Sequence, residues 1–255
     1  MSVWLCIPSK RPPEEAEKVL KLWRERGYKI ALLRDEGECG KLRCDYENSI
    51  LPYPGYAAAV NSLIRDVLCL HPEAEWLVTG GDDVQPDMNH SAEEIARQCS
   101  EKFYVHFELM YPPLRDKIAG WSASATELRT FGVMQPTGDR WGDRQGPYIE
   151  RVCGSPWMGR EFCRRVYGGR GPLFEGYFHM GEDEELQAVA QKVGVLWQRP
   201  DLIHFHNHWG RKNASGDDMP KFLERANDPK EWAAYKKLFA ERQAAGFPGH
   251  EPLEA

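Results

Sequence analysis

Apolar and amphipathic stretches alternate along the first third of the chain. Three short apolar runs, Val3 to Pro8, Tyr28 to Arg34 and Glu75 to Thr79, have the length and composition of buried strands. Between them, Pro13 to Arg26 and Ala57 to Leu70 repeat apolar residues at helical spacing, and each predicts an amphipathic helix. This alternation predicts an α/β fold, in which a mostly parallel sheet is flanked by helices.

Polar residues come directly after each of these strands. Pro8 and Ser9 end the first, Asp35 follows the second and Asp83 follows the third. Because parallel sheets bind ligands at the carboxyl ends of their strands, we expect these residues to lie at one edge and predict a nucleotide site there. Arg11 is either a further contact to the nucleotide or a solvated charge beside the next helix.

An acidic turn, Gly80-Gly81-Asp82-Asp83, is the most informative of these strand ends. Mg²⁺ and Mn²⁺ take oxygen ligands and are commonly held by one or two carboxylates together with substrate phosphates. Asp and Gly are also favoured in turns for local reasons. The turn therefore predicts a site for a cation and a diphosphate, with a plain surface turn as the alternative.

Two later segments strengthen the prediction of a site. Four carboxylates, Glu182 to Glu185, precede an apolar-periodic stretch, where they suit either a helix N-terminus or acid–base chemistry. Further on, His204, His206 and His208 alternate, and on a strand they would share one face. We predict that at least one of these histidines is a ligand or lies at a substrate-binding edge.

Composition narrows the class of protein. The chain has 255 residues, enough for one sizeable domain or two small ones, and a net charge of −6. A protein that binds a phosphate backbone usually carries a basic excess, which this chain lacks. Seven cysteines without a C-x-x-C pair argue against a disulfide framework or a zinc ribbon. With no membrane-length apolar run and no signal-peptide layout at residues 1 to 11, we expect a cytoplasmic protein without membrane contact.

In their order along the chain, these motifs resemble the nucleotide-sugar-dependent glycosyltransferases of the GT-A fold, most closely the inverting enzymes of family 2. The likeness covers about residues 3 to 210. One departure is that Gly81 stands where the family's Asp-x-Asp motif has its first Asp. This puts in doubt the contact that the first carboxylate usually makes to the ribose or the metal. The neighbouring Asp82 can supply that contact. The motifs that carry the likeness are Trp4 to Arg11, Tyr28 to Asp35, Gly55 to Asn61, the acidic turn, Gly154 to Phe162, Gly168-Gly169, Gly181 to Leu186 and the histidine cluster.

The resemblance implies a metal-dependent, inverting transferase with a UDP-sugar as the expected donor. Asp83 is expected as the primary ligand of Mn²⁺ or Mg²⁺, with His206 or His208 in support, and imidazole favours Mn²⁺. Asp183 is expected to take the proton of the acceptor hydroxyl. The expected nucleotide contacts are Pro8, Ser9, Arg11, Asp35, Asn61 and Asp82.

The resemblance also implies the domain layout. Residues 1–210 would form one GT-A-like catalytic domain, with a Rossmann-like nucleotide-binding half at 1–90 and an acceptor half at 91–210. Residues 211–255 would form a C-terminal extension, with one helix around Pro229 to Gln243 and a tail. A loop at 138–150 mixes Gly, Trp and charged residues without a period, and is interpreted as a lid or as an ordinary surface loop.

Three other functions stay open at this point. A nucleotidyltransferase can use a similar fold, but is expected to carry a glycine-rich basic loop after its first strand, and Ser9 to Pro13 has no glycine. A non-catalytic carbohydrate-binding protein could use the nine tryptophans as stacking platforms, although Trp also fills cores. A metal hydrolase could be built on the histidine cluster.

The acceptor and the oligomeric state are not determined by the sequence. A glycan, a lipid-linked sugar or a protein side chain would serve as acceptor. Val133 to Trp141 is similar to a segment of small bacteriophage transferases, some of which glycosylate modified bases, so a hydroxylated DNA base is a further hypothesis. It predicts a positive groove fed by Arg140, Arg144, Arg151, Arg160, Arg164 and Arg165.

Overall fold

A central sheet of seven strands organises the part of the chain that this computed structural model describes, which is residues 2–34, 37, 40–110, 125–140, 150–211 and 219–251. Its strand order is β3-β2-β1-β4-β7-β6-β8, and β5 and β9 form a separate two-stranded sheet. The strands are β1 (Ser2–Pro8), β2 (Lys29–Leu33), β3 (Tyr46–Asn48), β4 (Ala74–Val78), β5 (Val84–Gln85), β6 (Val133–Pro136), β7 (Trp157–Gly159), β8 (Leu196–Arg199) and β9 (Phe205–His206).

The central sheet is mixed and mostly parallel. Strand β1 pairs in parallel with β2 and β4, β2 with β3, and β6 with β8. Strand β7 is antiparallel to both of its neighbours, β4 and β6. The α/β fold class predicted from the sequence is thereby confirmed, and the three predicted strands agree with β1, β2 and β4 to within one residue at each end.

Helices cover the sheet and supply much of its core. Helix α1 begins with Pro13 in its first turn, where a missing N–H costs no helical hydrogen bond, and it buries Ala16, Leu20 and Trp23. Helix α2 buries an apolar stripe that includes Val60, Leu63, Ile64 and Val67. The helices are α1 (Pro13–Glu25), α2 (Tyr56–Leu70), α3 (Ala92–Met110), α4 (Ala125–Arg129), α5 (Arg160–Arg165), α6 (Glu182–Val193) and α7 (Pro229–Ala244).

Helix α3 differs from its prediction. The sequence predicts a surface helix from Ser91 to Lys102, and the predicted Ser cap is present, because Ser91 Oγ accepts a hydrogen bond from the Glu94 N–H at 3.2 Å. The helix runs on to Met110, however, and buries Ile95, Cys99 and Phe103 in the core. The polar face of the helix is exposed at Glu93, Glu94 and Arg97, as a surface helix requires, but the helix ends at Met110 rather than at the predicted Lys102.

Four tryptophans, Trp4, Trp23, Trp76 and Trp157, are completely enclosed in the core. They cannot stack on a ligand, which removes nearly half of the nine tryptophans from the set available for sugar binding. None of the helices in the described residues is both long and apolar enough to cross a membrane.

The C-terminal helix α7 is attached to α6 by a buried ion pair. Asp228 caps α7 by accepting a hydrogen bond from the Lys230 N–H at 2.7 Å. Arg242 then donates from Nε to Glu185 Oε2 at 2.7 Å, and Glu185 also accepts from the hydroxyls of Tyr167 and Tyr177. This network joins the end of the chain to the helix that begins with Glu182 and Asp183.

Candidate functional site

A cavity of about 1600 Å³ lies at the carboxyl ends of β1, β2 and β4. Its walls include the loop after β1, the acidic turn after β4, the first turn of α6 and the segment after β8. Phe222, Leu223 and residues 225–227 line it as well, so the C-terminal region contributes a wall. The predicted site residues that line it are Pro8, Ser9, Arg11, Asp82, Asp83, Asp183, His206 and His208.

Asp82 is buried and bound on both carboxylate oxygens. Ser9 Oγ donates to Asp82 Oδ2 at 2.8 Å, and Arg11 Nε donates to Asp82 Oδ1 at 2.7 Å. Burial raises the pKa of Asp82, and the attraction of Arg11 only partly offsets it. Arg34, which the sequence analysis did not single out, donates to both oxygens of Ser9 at 3.1 Å and so fixes the loop after β1.

Asp83 is held between Arg11 and His206. Arg11 Nη2 donates to Asp83 Oδ2 at 2.9 Å, while His206 Nε2 lies 3.4 Å from Asp83 Oδ1. The pairing of β5 with β9 creates this contact, since Val84 is opposite His206 and the Asn207 N–H donates to the Asp83 carbonyl at 2.9 Å. Burial acts to raise the pKa of Asp83, but His206 and Arg11 outweigh it, so that the pKa is lowered.

The three alternating histidines do not share one strand face as predicted. Strand β9 contains only Phe205 and His206, and His204 points into the core, where Ser155 Oγ lies 2.8 Å from its Nδ1. Burial lowers the pKa of His204 to about 3, so its ring is neutral. His208 lies beside His206, with ring centroids 5.1 Å apart, and its Nδ1 accepts from the Gly210 N–H at 3.0 Å.

The Asp83–His206 pair has the spacing of two ligands that share a cation. Two ligands of one octahedral cation, each about 2.1 Å from it, lie about 3 Å apart. The 3.4 Å between Asp83 Oδ1 and His206 Nε2 is close to that value. Within the described residues, no group of three or more His, Cys, Asp or Glu side chains is arranged to hold a metal ion. Diphosphate and water oxygens would complete the shell, as is common for Mg²⁺.

A different wall of the cavity carries Glu182 and Asp183 in the first turn of α6. Burial, followed by repulsion from Glu184, raises the pKa of Asp183 to about 7. Glu182 is 5% exposed, and its Oε2 has no hydrogen-bond partner among the described residues. Burial, followed by repulsion from Asp183, raises the pKa of Glu182 well above its ordinary range. Glu182 therefore holds its proton more readily than an exposed glutamate, a property that its place in a charge run did not predict.

Comparison with known proteins gives a coarse likeness in structure and none in sequence. No protein-family model matches the chain, and no curated protein sequence matches it. Among solved structures, the chain is similar to a mutant of Drosophila β-1,4-galactosyltransferase 7 in complex with manganese, UDP-Gal and xylobiose. The TM-score is 0.44 and the identity 13%, over 83% of this chain and 73% of that chain. An argument for function must therefore come from the cavity itself.

One of the predicted nucleotide contacts, Asn61, does not line the cavity. Asn61 is completely buried and binds the segment after α5: its Nδ2 donates to the Leu173 carbonyl at 2.8 Å, and its Oδ1 accepts from the Leu173 N–H at 3.1 Å. Asn61 thus supports a wall of the cavity from behind. Asp35 lies outside the described residues. The predicted lid at 138–150 is described only at residues 138–140 and 150.

Asp139 is a site residue that the sequence analysis placed only within that loop. It lines the cavity, accepts a hydrogen bond from the His206 N–H at 2.9 Å and forms an ion pair with Arg211. It therefore fixes the backbone of β9 beside Asp83. A lone Asp in an aperiodic segment gives no signal of this kind, because the contact joins residues 67 positions apart.

Three of the arginines predicted to form a positive groove lie at the opposite edge of the sheet. Arg160 Nη1 donates to the carbonyl of Ala74 at 2.9 Å, at the start of β4. Arg164 and Arg165 follow on the same short helix, and both pair with Glu161. This part of the prediction is wrong, because antiparallel β7 carries the chain away from the cavity before α5 begins. Of the others, Arg151 lines the cavity, Arg140 does not, and Arg144 lies outside the described residues.

Proposed function

We propose that this protein is a metal-dependent inverting glycosyltransferase that moves a sugar from a nucleotide diphosphate, with UDP-sugar as the first candidate, to an acceptor hydroxyl. One observation carries the proposal. Asp83, which lies 3.4 Å from His206, lines one wall of the cavity at the carboxyl edge of the sheet, and Asp183, whose pKa is raised to about 7, lines another. The transfer reaction needs both kinds of group.

The wall with Asp83 suits the leaving diphosphate. A divalent cation bound by Asp83 and His206 would supply Lewis-acid neutralisation of the charge that develops on the diphosphate. We propose that Arg11 and Lys10, which line the same wall, bind the phosphates directly. Asp82 then acts mainly through Arg11, because both of its oxygens are already engaged by Arg11 and Ser9.

The wall with Asp183 suits the acceptor. The acceptor oxygen attacks the anomeric carbon, its proton passes to an Asp183 oxygen, and the bond from the anomeric carbon to the diphosphate oxygen breaks. A base whose pKa is near 7 is well matched to this transfer, because a large fraction is ionised at neutral pH while it can still hold the proton. Direct attack by the acceptor gives a single displacement, and hence inversion.

We propose a carbohydrate as the acceptor. Tyr53 and Phe178 line the cavity with ring centroids 6.0 Å apart in an edge-to-face arrangement, and such rings can pack against a sugar. Arg225 lies 3.6 Å from the Phe178 centroid, so the C-terminal segment supports this surface. We do not propose DNA as the acceptor. Three of the six arginines predicted to form a DNA-binding groove, Arg160, Arg164 and Arg165, lie at the edge of the sheet opposite the cavity.

Calorimetric titration with UDP, GDP, dTDP, CDP and ADP tests the proposal, each with Mn²⁺ and again with EDTA. We expect metal-dependent binding of one nucleotide, and loss of that binding in Asp83→Ala. Asp45→Ala, at a carboxylate that does not line the cavity, is the control. If no nucleotide binds with or without metal, the transferase proposal fails and a sugar-binding protein becomes the better account.

A further inference from the structure

The guanidinium of Arg225 is held at the cavity but is only partly paired. Its Cζ lies 3.6 Å from the centroid of the Phe178 ring, and both residues line the cavity. Its Nε donates to Glu231 Oε1 at 3.2 Å, while its two Nη atoms meet no acceptor among the described residues. The side chain is 64% exposed, so a ligand that enters the cavity can reach these donors.

A second stacked guanidinium in this protein shows what such a group binds. The Cζ of Arg242 lies 3.3 Å from the centroid of Phe174, and its Nε and Nη2 donate to the two oxygens of the Glu185 carboxylate at 2.7 and 2.6 Å. A planar guanidinium fits a carboxylate through two parallel hydrogen bonds of this kind. Arg225 has the same stacked arrangement, but Glu231 engages it at Nε alone. It therefore keeps the capacity to bind a further carboxylate.

The stack of Arg225 on Phe178 is fixed by backbone contacts on both sides. The Phe178 carbonyl accepts from the Tyr56 N–H, at the start of α2, at 2.7 Å. Gly55 permits this approach, because its φ is +99° and a Cβ there would come within 2.7 Å of the Phe178 carbonyl oxygen. The Arg225 carbonyl accepts from the Asp228 N–H at 3.1 Å. A group that is ordered before the ligand arrives binds it at a lower entropic cost.

This stack belongs to the wall of the cavity that carries the proposed base. Phe178 precedes Asp183 on that wall, and Arg151, which is exposed, lines the cavity too. Two residues after Arg151, the Cys153 N–H donates to the Asp183 carbonyl at 3.2 Å. Burial and repulsion from a neighbouring carboxylate raise the pKa of Asp183, so neither arginine neutralises it. The positive charges of Arg151 and Arg225 are thus available to a ligand on the acceptor side.

From these observations we infer that the acceptor is an acidic sugar and that Arg225 binds its carboxylate. This inference rests on the proposed function and narrows its acceptor to a uronate-containing glycan. The sugar ring packs against Tyr53, its carboxylate meets the Nη atoms of Arg225, and the attacking hydroxyl faces Asp183. Arg225 is thereby a residue that determines specificity, and Arg151 adds positive charge to the same wall.

Nuclear magnetic resonance titration tests the contact, because it measures weak binding of small sugars. The probes are the methyl glycosides of glucuronate and galacturonate, each compared with the glycoside of glucose or galactose, which has a hydroxymethyl group in place of the carboxylate. The unmodified protein should bind at least one uronate about tenfold more tightly than its neutral partner, since hydrogen bonds to a charged group are the stronger kind. Arg225→Gln should lose this preference without weaker binding of the neutral sugar.

Two further variants sharpen the test. Arg225→Lys keeps the charge but lacks the planar pair of donors, so its preference for the uronate should be intermediate. Arg97→Gln is the matched control, because Arg97 is also exposed and paired with a glutamate, Glu101, on a helix outside the cavity. Its preference should equal that of the unmodified protein. The amide spectrum of each variant reports in the same experiment whether it is folded.

Three results would overturn the inference. The first is equal binding of uronates and neutral sugars by the unmodified protein. The second is a preference that persists in folded Arg225→Gln. The third is tighter binding of glucose 6-phosphate than of either uronate, which would assign the arginine to a phosphate.

The nucleotide titration separates failure of this inference from failure of the proposed function. If a nucleotide binds with metal and no uronate is preferred, the inference fails and the transferase proposal stands. If a uronate binds through Arg225 and no nucleotide binds, the transferase proposal fails and the carboxylate contact stands as part of a sugar-binding site.

Discussion

The two acidic walls of the cavity differ in how their charge is balanced. On one wall, Asp83 lies between Arg11 at 2.9 Å and His206 at 3.4 Å, and its pKa is lowered. On the other, Asp183 is half-buried beside further carboxylates, and its pKa is raised to about 7. Pairs of carboxylates whose environments separate their pKa values are the usual basis for assigning different roles. The carboxylate between two basic groups suits binding of a cation, and the carboxyl with the raised pKa suits proton transfer.

The largest expected effect comes from Asp183→Asn, which removes the base and keeps the shape of the side chain. The rate of sugar transfer should fall about 10²- to 10⁴-fold, the usual contribution of a general base. The affinity for the nucleotide should stay within twofold, because the donor wall is unchanged. The rate is measured by release of nucleoside diphosphate, and the affinity by calorimetry. A variant that turns over at the normal rate would remove Asp183 from the mechanism.

His206→Gln tests the other wall. Loss of one of two protein ligands should weaken Mn²⁺ binding in the presence of nucleotide by at least about tenfold, a loss that can follow even from removing an outer-shell partner. His71→Gln is the control, because His71 ends α2 at the opposite edge of the sheet. The measurement is a Mn²⁺ titration followed by electron paramagnetic resonance. Equal affinities in the two variants would show that the imidazole does not bind the cation.

The raised pKa of Asp183 also predicts a pH effect on stability. Its ordinary value is 3.8, so between about pH 4 and 7 the folded state binds more protons than the unfolded state, and stability falls as pH rises through that range. Asp183→Asn removes this cost of ionisation. The Tm of the variant relative to that of the unmodified protein should therefore be higher at pH 8 than below pH 4, by about 2 °C or more, which is roughly 1 kcal/mol. A variant that is less stable at pH 8 would contradict the burial argument.

The smallest expected effect is that of Glu182→Gln on stability. Because burial and repulsion from Asp183 favour the neutral form of Glu182, replacing its acid by an amide should change the Tm by no more than about 2 °C, or roughly 1 kcal/mol. The comparison is Glu185→Gln, which leaves the buried guanidinium of Arg242 without its counterion and should cost about 3 to 5 kcal/mol. Thermal unfolding of both variants at pH 7 measures the difference. A large loss in Glu182→Gln alone would mean that Glu182 is charged and paired.

The sequence predicts the parts of this site that depend on local order. Strand period and length place Ser9 and Asp83 at strand ends, and the carboxyl ends of parallel strands meet at one edge. The start of a predicted helix likewise places Asp183 among the candidate site residues. The extent of α3 was underestimated, because burial of Phe103 under the sheet is a tertiary effect.

The rest of the site depends on contacts between distant segments, which periodicity does not encode. Arg34 reaches Ser9 only because β1 and β2 are neighbours, and Asp139 reaches His206 across 67 positions. His204 and His206 belong to the same alternating series, yet His204 enters the core and His206 faces Asp83. Phe222, Leu223 and residues 225–227, which precede α7, line the cavity, and the ion pair of Arg242 with Glu185 holds α7 against α6.

Anomalous diffraction from crystals grown with Mn²⁺ and the nucleoside diphosphate that binds tests the division between the two walls most directly. We predict one manganese peak in the cavity, about 2.0 to 2.3 Å from both Asp83 Oδ1 and His206 Nε2, with the diphosphate bound to it and no metal beside Asp183. A manganese ion bound by Glu182 and Asp183, or a nucleotide seated away from Asp83, would contradict the account.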